Sequence, residues 1–366
     1  MKLRNTIVWT HRWLALTAGA FWAVASLTGG ILVFEREIDQ WLNRGRFAST
    51  EGAAPPGALD RTLAELSATG AVRSVAWLHE EHVLRVAVED AGGRHPVFLD
   101  GGTGRVIEST RPRRDYAAGI GSLHVTLLAG RPGYLLVRLT SAAAVLSMLT
   151  GLYLWWPGLR TFARGFAVRL RRGFYLFNFD LHQALGAITF VLLFVMTATG
   201  AFMGIPGAID RAARALLPPD PPPPAAAPWE DEALTDAHAS IEALAAAAEA
   251  AGGGAIASVT FAASGAGPVE AAVRKPGEAV EMRVLLAPGD ARVLDVLDGR
   301  RRPREQRFGA ALGRLHRGWF TGLAGRIVVS AACIAGGFLA LTGFLLWWMK
   351  RTRKLESARR RDLAPA

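Results

Sequence analysis

Four histidines stand at matched points of a chain that reads as two copies of one unit. His11 is followed by an apolar run ending in Thr28-Gly29, and His182 by one ending in Thr199-Gly200, with identical spacing and no gap. Leu123-His124 leads in turn to Thr150-Gly151 and Trp155-Trp156, and Leu315-His316 to Thr342-Gly343 and Trp347-Trp348, again ungapped. An ionisable ring at membrane depth costs free energy unless it has a partner, so each histidine is a functional candidate. Neutral imidazole coordinates haem iron axially, and two of them leave no open position, which suits electron transfer rather than oxygen activation. The pattern predicts two bis-histidine b-type haems per chain, one on His11 and His182 and one on His124 and His316. The competing reading makes His11 and His182 interfacial residues meeting lipid headgroups, and His124 and His316 ordinary surface residues. The single cysteine, Cys333, lies in an apolar run. That excludes a disulfide framework, thiolate zinc, iron–sulfur clusters and covalent c-type haem, which needs C-x-x-C-H.

The elements that must position these rings are transmembrane helices. Residues 11–34, 134–156, 180–204 and 326–349 are apolar runs, each near the ~20 residues that cross a hydrocarbon core. The expectation is a four-pass protein whose first run, matched by the internal third, is not a cleaved signal. The short flanks are basic: Lys2 and Arg4, then Arg160, Arg164, Arg169, Arg171 and Arg172, then Lys350, Arg351, Arg353 and Lys354. Positive-inside asymmetry sets all three, with both termini, in the cytoplasm and both long polar segments in the periplasm of a Gram-negative inner membrane. These clusters account for the net charge of +11, favour anionic lipid and argue against a nucleic-acid partner. Two parallel copies predict a pseudo-twofold axis along the membrane normal, with His11 and His182 near the cytoplasmic face and His124 and His316 near the other. A continuous helix from His124 to Trp155 would run about 45 Å, longer than the bilayer. Gly130-Arg131-Pro132-Gly133 therefore marks a break, and His124 and His316 belong to short boundary segments.

The polar segments read as two small α+β domains. In the first, a helix over 58–69 precedes alternating stretches at Val72–Trp77, Val83–Val88, Pro96–Leu99 and Arg105–Glu108. In the second, a helix near 234–250 precedes Ile256–Phe261, Val269–Val273, Glu281–Leu286 and Arg292–Val296, while Pro218–Pro228 is a stiff linker. The expected boundaries are a first membrane helix in 1–34, a periplasmic domain in 35–120, and a histidine segment with the second helix in 121–156. A basic loop (157–178), the third helix (179–204), the second periplasmic domain (205–312), a histidine segment with the fourth helix (313–349) and a basic tail (350–366) follow.

Asp180-Leu181-His182-Gln183-Ala184-Leu185-Gly186, Leu315-His316 and the Thr-Gly-x-x-Leu-Trp-Trp endings, with two such domains between four helices, resemble the PepSY-associated transmembrane proteins. That group includes inner-membrane ferric-siderophore reductases of the FoxB type. The resemblance covers essentially the whole chain and implies PepSY-like periplasmic domains and a haem-dependent oxidoreductase. Its acceptor would be a ferric siderophore bound between those domains and the outer haem, with Fe(II) released for uptake. Hard oxygen ligands hold Fe(III) more tightly than Fe(II), so one-electron reduction is a release mechanism. No G-x-G-x-x-G follows a strand, so the donor is quinol, a separate cytoplasmic reductase or a diffusible reductant. No catalytic acid, base or nucleophile is indicated. One alternative is a haem-free membrane anchor whose PepSY-like domains bind or restrain a periplasmic peptidase. Another is a transporter, which lacks broken helices and a polar path at the midplane.

Other residues carry two readings each. The Thr-Gly pairs either admit a flat macrocycle, the hydroxyl bonding its own helix or a propionate, or pack helices. Arg138, one turn inside the second run, either meets a propionate or snorkels to headgroups, and Arg12 beside His11 shares that ambiguity. The tryptophan pairs mark an interfacial belt. His79-Glu80-Glu81-His82 lacks the i, i+4 histidines of a zinc helix, and His95 and His238 have no partner visible in the sequence.

Overall fold

The computed structural model describes all residues except 1, 51, 53, 79–81, 110–115, 221–238, 264–266, 277–280, 299–301, 319–321 and 363–366. In chain order the helices are α1 (Lys2–Leu32), α2 (Glu35–Leu42), α3 (Ala58–Ser67), α4 (Tyr116–Thr126) and α5 (Gly130–Trp155). They continue as α6 (Phe174–Met203), α7 (Ala208–Leu216), α8 (Ile241–Gly252), α9 (Arg304–Arg317) and α10 (Gly322–Asp362). The chain divides into two compact units, one of residues 1–35, 117–216 and 308–366 and the other of 36–116 and 217–307. Each unit draws on both halves of the sequence.

In the first unit α1, α5, α6 and α10 are long and apolar enough to cross a membrane, and the chain is a multi-pass membrane protein. α1 packs against α5 and α10, and so does α6, so α1 and α6 stand diagonally in a four-helix bundle. Small residues allow the close approach that membrane helices rely on. A Cβ added at Gly30 would lie 3.0 Å from Cβ of Cys333, while Ser26 Oγ donates to the Cys333 carbonyl at 2.8 Å. Cys333 thus belongs to the α1–α10 seam. The helix break before α5 begins earlier than the Gly-Arg-Pro-Gly stretch suggested. Leu127 and Leu128 take left-handed φ values of 49° and 60°, which ends α4 at Thr126 and frees its direction from that of α5.

Two arginines close helix ends whose carbonyls lack an intrahelical donor. Arg138 of α5 donates from Nε to the Gly204 carbonyl after α6 at 3.1 Å. Arg326 of α10 donates from Nε and Nη2 to the Val33 carbonyl after α1, at 3.2 and 2.7 Å. Arg138, which the sequence left between a propionate and headgroups, serves a helix terminus.

The second unit holds strands β1 (Ala71–Leu78), β2 (Val83–Asp90), β3 (Gly93–Asp100), β4 (Val106–Ser109), β5 (Ala255–Thr260), β6 (Val269–Arg274), β7 (Met282–Leu286) and β8 (Val293–Leu297). Each group of four is an antiparallel meander, and the two join through β1 and β5 into one sheet of order β4-β3-β2-β1-β5-β6-β7-β8. Ser74 faces Thr260, Val75 faces Val259 and Ala76 faces Ser258 across that seam. Strand alternation sends Val75, Val86, Val97, Val259, Val273 and Val284 to a single core with Leu59 of α3 and Ile241, Leu244 and Ala248 of α8. α8 begins at its Ser240 cap, whose Oγ accepts the Ala243 amide at 3.1 Å. The first part of the helix expected near 234–250, and most of the proline linker, lie outside the described residues.

Candidate functional site

Each of the four histidines is held by a neighbouring helix in the same manner. His11 Nδ1 on α1 lies 2.9 Å from the Ser147 carbonyl and 3.2 Å from Thr150 Oγ1, both of α5. His124 Nδ1 on α4 lies 2.8 Å from the Ala25 carbonyl and 3.3 Å from Thr28 Oγ1, both of α1. His182 Nδ1 on α6 lies 2.9 Å from Thr342 Oγ1 of α10. His316 Nδ1 on α9 lies 3.0 Å from both the Met196 carbonyl and Thr199 Oγ1 of α6.

This pattern assigns the tautomer. A carbonyl oxygen can only accept, and each threonine hydroxyl is within donating range of the carbonyl four residues back in its own helix, at Val24, Leu146, Val195 and Phe338. Nδ1 therefore carries the proton and Nε2 keeps its lone pair. Among the described residues no hydrogen bond reaches Nε2 of any of the four.

The glycine after each threonine makes room for the ring. A Cβ added at Gly29 would meet His124 Cε1 at 3.0 Å, at Gly151 His11 Cε1 at 3.1 Å, at Gly200 His316 Cε1 at 2.8 Å, and at Gly343 His182 Cε1 at 3.3 Å. The structure shows an arrangement that neither reading of the Thr-Gly pairs foresaw, with the glycine admitting an imidazole edge and the threonine bonding both its own helix and a histidine.

The rings stand in two pairs. His11 and His182 have centroids 6.4 Å apart with planes at 73°, and His124 and His316 have centroids 6.2 Å apart with planes at 44°. An imidazole nitrogen sits about 1.1 Å from its ring centre and bonds a metal at about 2.0–2.1 Å. Two imidazoles sharing one ion thus have centres about 6.2–6.4 Å apart, which both pairs satisfy. Burial lowers the pKa of His124, and burial, with the charge of His124 second, lowers His316 to about 4. Both shifts favour the neutral ring, the form that binds metal. No group of three or more histidine, cysteine, aspartate or glutamate side chains converges on a metal position among the described residues.

Several supporting residues escaped the sequence reading. Asn178 is buried in α6 and donates to the Thr342 carbonyl at 3.0 Å, steadying the turn that holds His182. Asp180, also buried, accepts from Arg169 Nε at 2.7 Å and Nη2 at 2.6 Å and from its backbone amide at 3.0 Å, tying the basic loop to α6. Asp180 carried a signal, since a carboxylate at the start of an apolar run needs a partner, whereas Asn178 fell in the expected basic loop and carried none. Ser147 left no signal beyond its place one turn before Thr150. Arg12 Nε is buried without a hydrogen bond among the described residues.

The remaining candidates lie elsewhere. Trp155 donates from Nε1 to the Gly165 carbonyl at 2.9 Å and packs on Phe162 and Phe166, while Arg351 lies over Trp347, as anchoring residues do. His95 sits 3.9 Å from Asp90 in the sheet unit, and His82 occupies a turn with φ of 52°. His79, Glu80, Glu81 and His238 lie outside the described residues. No curated protein matches the sequence. The family model described as the PepSY-associated TM region matches residues 8–350, and the chain belongs to that family.

Proposed function

We propose that this member of the PepSY-associated TM family binds two b-type haems, one between His11 and His182 and one between His124 and His316, and acts as a membrane oxidoreductase. The observation that carries the reading is the fourfold repeat of an imidazole anchored through Nδ1–H, together with centroid separations of 6.4 and 6.2 Å. Two imidazoles fill only two positions on a metal, whereas a protein-held zinc needs three or four ligands. A haem, which brings the iron's remaining donors with it, would need only such a pair from the protein. Haem held there would supply reversible one-electron transfer.

The chain's own residues hold the neutral tautomer, fix each ring plane and exclude water by burial. The basic flanks orient the protein with His11 and His182 towards the cytoplasm of a bacterium and His124 and His316 towards the periplasm. Electrons then enter from quinol or a cytoplasmic reductase and leave to a periplasmic acceptor, for which a ferric siderophore fits the family resemblance. Reduction weakens the hold of hard oxygen ligands on the iron and releases Fe(II).

An absorption spectrum of the detergent-purified full chain, oxidised and dithionite-reduced, with a pyridine haemochrome assay, tests the reading. Two haems per chain with sharp low-spin α-bands are expected. A colourless protein from cells supplied with haem precursor would overturn it and favour a haem-free anchor that binds a periplasmic peptidase or other partner.

A further inference from the structure

In the layer between the two histidine pairs the two copies of the repeat differ in side-chain size. The spacing that superposes His11 on His182 sets Trp22 on Leu193, and the spacing that superposes His124 on His316 sets Ala144 on Gly336. Trp22 and Leu193 are both buried and belong to one apolar cluster with Ala144, Met148 and Leu339, so side chains of all four long helices meet in this layer. A Cβ added at Gly336 would lie 2.9 Å from Cη2 of Trp22. The large side chain on α1 is matched by the smallest one on the facing helix, a compensation that keeps the layer filled. The indole N–H donates across the diagonal of the bundle to Thr197 Oγ1 at 3.2 Å, which sets the ring in one orientation. Along α1, Trp22 comes about 16 Å of helical rise after His11 and about 9 Å before Thr28, whose hydroxyl contacts His124.

We infer that Trp22 is the electronic bridge between the two sites, an inference that rests on the two-haem reading. With both haems bound, one electron would pass from the centre held by His11 and His182, oxidised by one unit, to the centre held by His124 and His316, reduced by one. The indole lends π orbitals to the path between them and is itself neither oxidised nor reduced. Its repeat mate Leu193 offers only saturated carbon.

The test uses the full chain in proteoliposomes, with a reductant on the His11 side, membrane-impermeant ferricyanide on the other, and haem content, midpoint potentials and the electron-passage rate recorded. Trp22→Leu is expected to keep both haems and both potentials while the rate falls severalfold, and Trp22→Phe to fall less. Leu193→Ala, which opens the same layer without removing the indole, should lower the melting temperature and leave the rate near that of the parent. An unchanged rate in a Trp22→Leu protein that retains both haems overturns the inference. So does an equal slowing in Leu193→Ala, which would assign the effect to packing. If the leucine variant loses a haem, the phenylalanine variant decides by the same rate comparison. Absence of haem from the parent protein would instead sink the two-haem reading, before any variant is made.

Discussion

A histidine ligand is oriented by what its other ring nitrogen touches, and loss of such a partner typically costs about 10–100-fold in metal affinity. Replacing His182 by alanine is expected to remove one haem and leave the other, and His316→Ala to remove the second, read by haem stoichiometry and by the α-band that disappears. Unchanged haem content in both variants would rule out the ligand assignment. The glycines make a graded prediction. Gly200→Ala sets a methyl 2.8 Å from His316 Cε1, whereas Gly343→Ala sets one 3.3 Å from His182 Cε1. Haem occupancy at the outer pair should fall in the first variant and hold at the inner pair in the second, checked by the same spectra. The histidines and the Thr-Gly pairs were each legible in the sequence, because duplication repeats them. That each threonine serves a histidine was not, since Thr28 meets His124 across 96 residues and Thr342 meets His182 across 160.

Among the elements, the bundle depends on helix ends that are closed from outside. Val33 and Gly204 follow α1 and α6 about one turn beyond the threonines that hold His124 and His316, and Arg326 and Arg138 satisfy their carbonyls. Arg326→Met should lower the stability of the bundle by about 1–3 kcal/mol, the cost of leaving a low-dielectric carbonyl without its charged donor. The melting temperature in detergent measures it, and an unshifted melt would show that water or lipid replaces the guanidinium. Hydropathy located the four spans because twenty apolar residues in a row have few other folds. It could not show that α4 ends at Thr126, since the left-handed turn at Leu127 and Leu128 uses residues with no local preference for it.

Taken as one molecule, the chain builds each unit from both of its copies. The bundle needs α1 and α6 on opposite corners before the histidines can pair, and the sheet needs β1 and β5 side by side before it has one core. Val259 is fully buried at that seam, and an unpaired carboxylate there costs several kcal/mol. Val259→Asp should therefore expose residues 36–116 and 217–307 to protease while the spectrum of the bundle is kept. Loss of the haem bands along with the sheet would show that the two units fold as one. The sequence by itself determined the four spans, the repeated unit, the strands and the histidines, because periodicity and hydropathy act over a few neighbouring residues. Only the tertiary structure decided that the two meanders share a seam, that the threonine beside each glycine aims at a distant imidazole, and that one indole fills the layer between the histidine pairs. Those choices depend on the packing of segments one to three hundred residues apart, which is settled by the summed fit of the whole assembly and leaves no local trace.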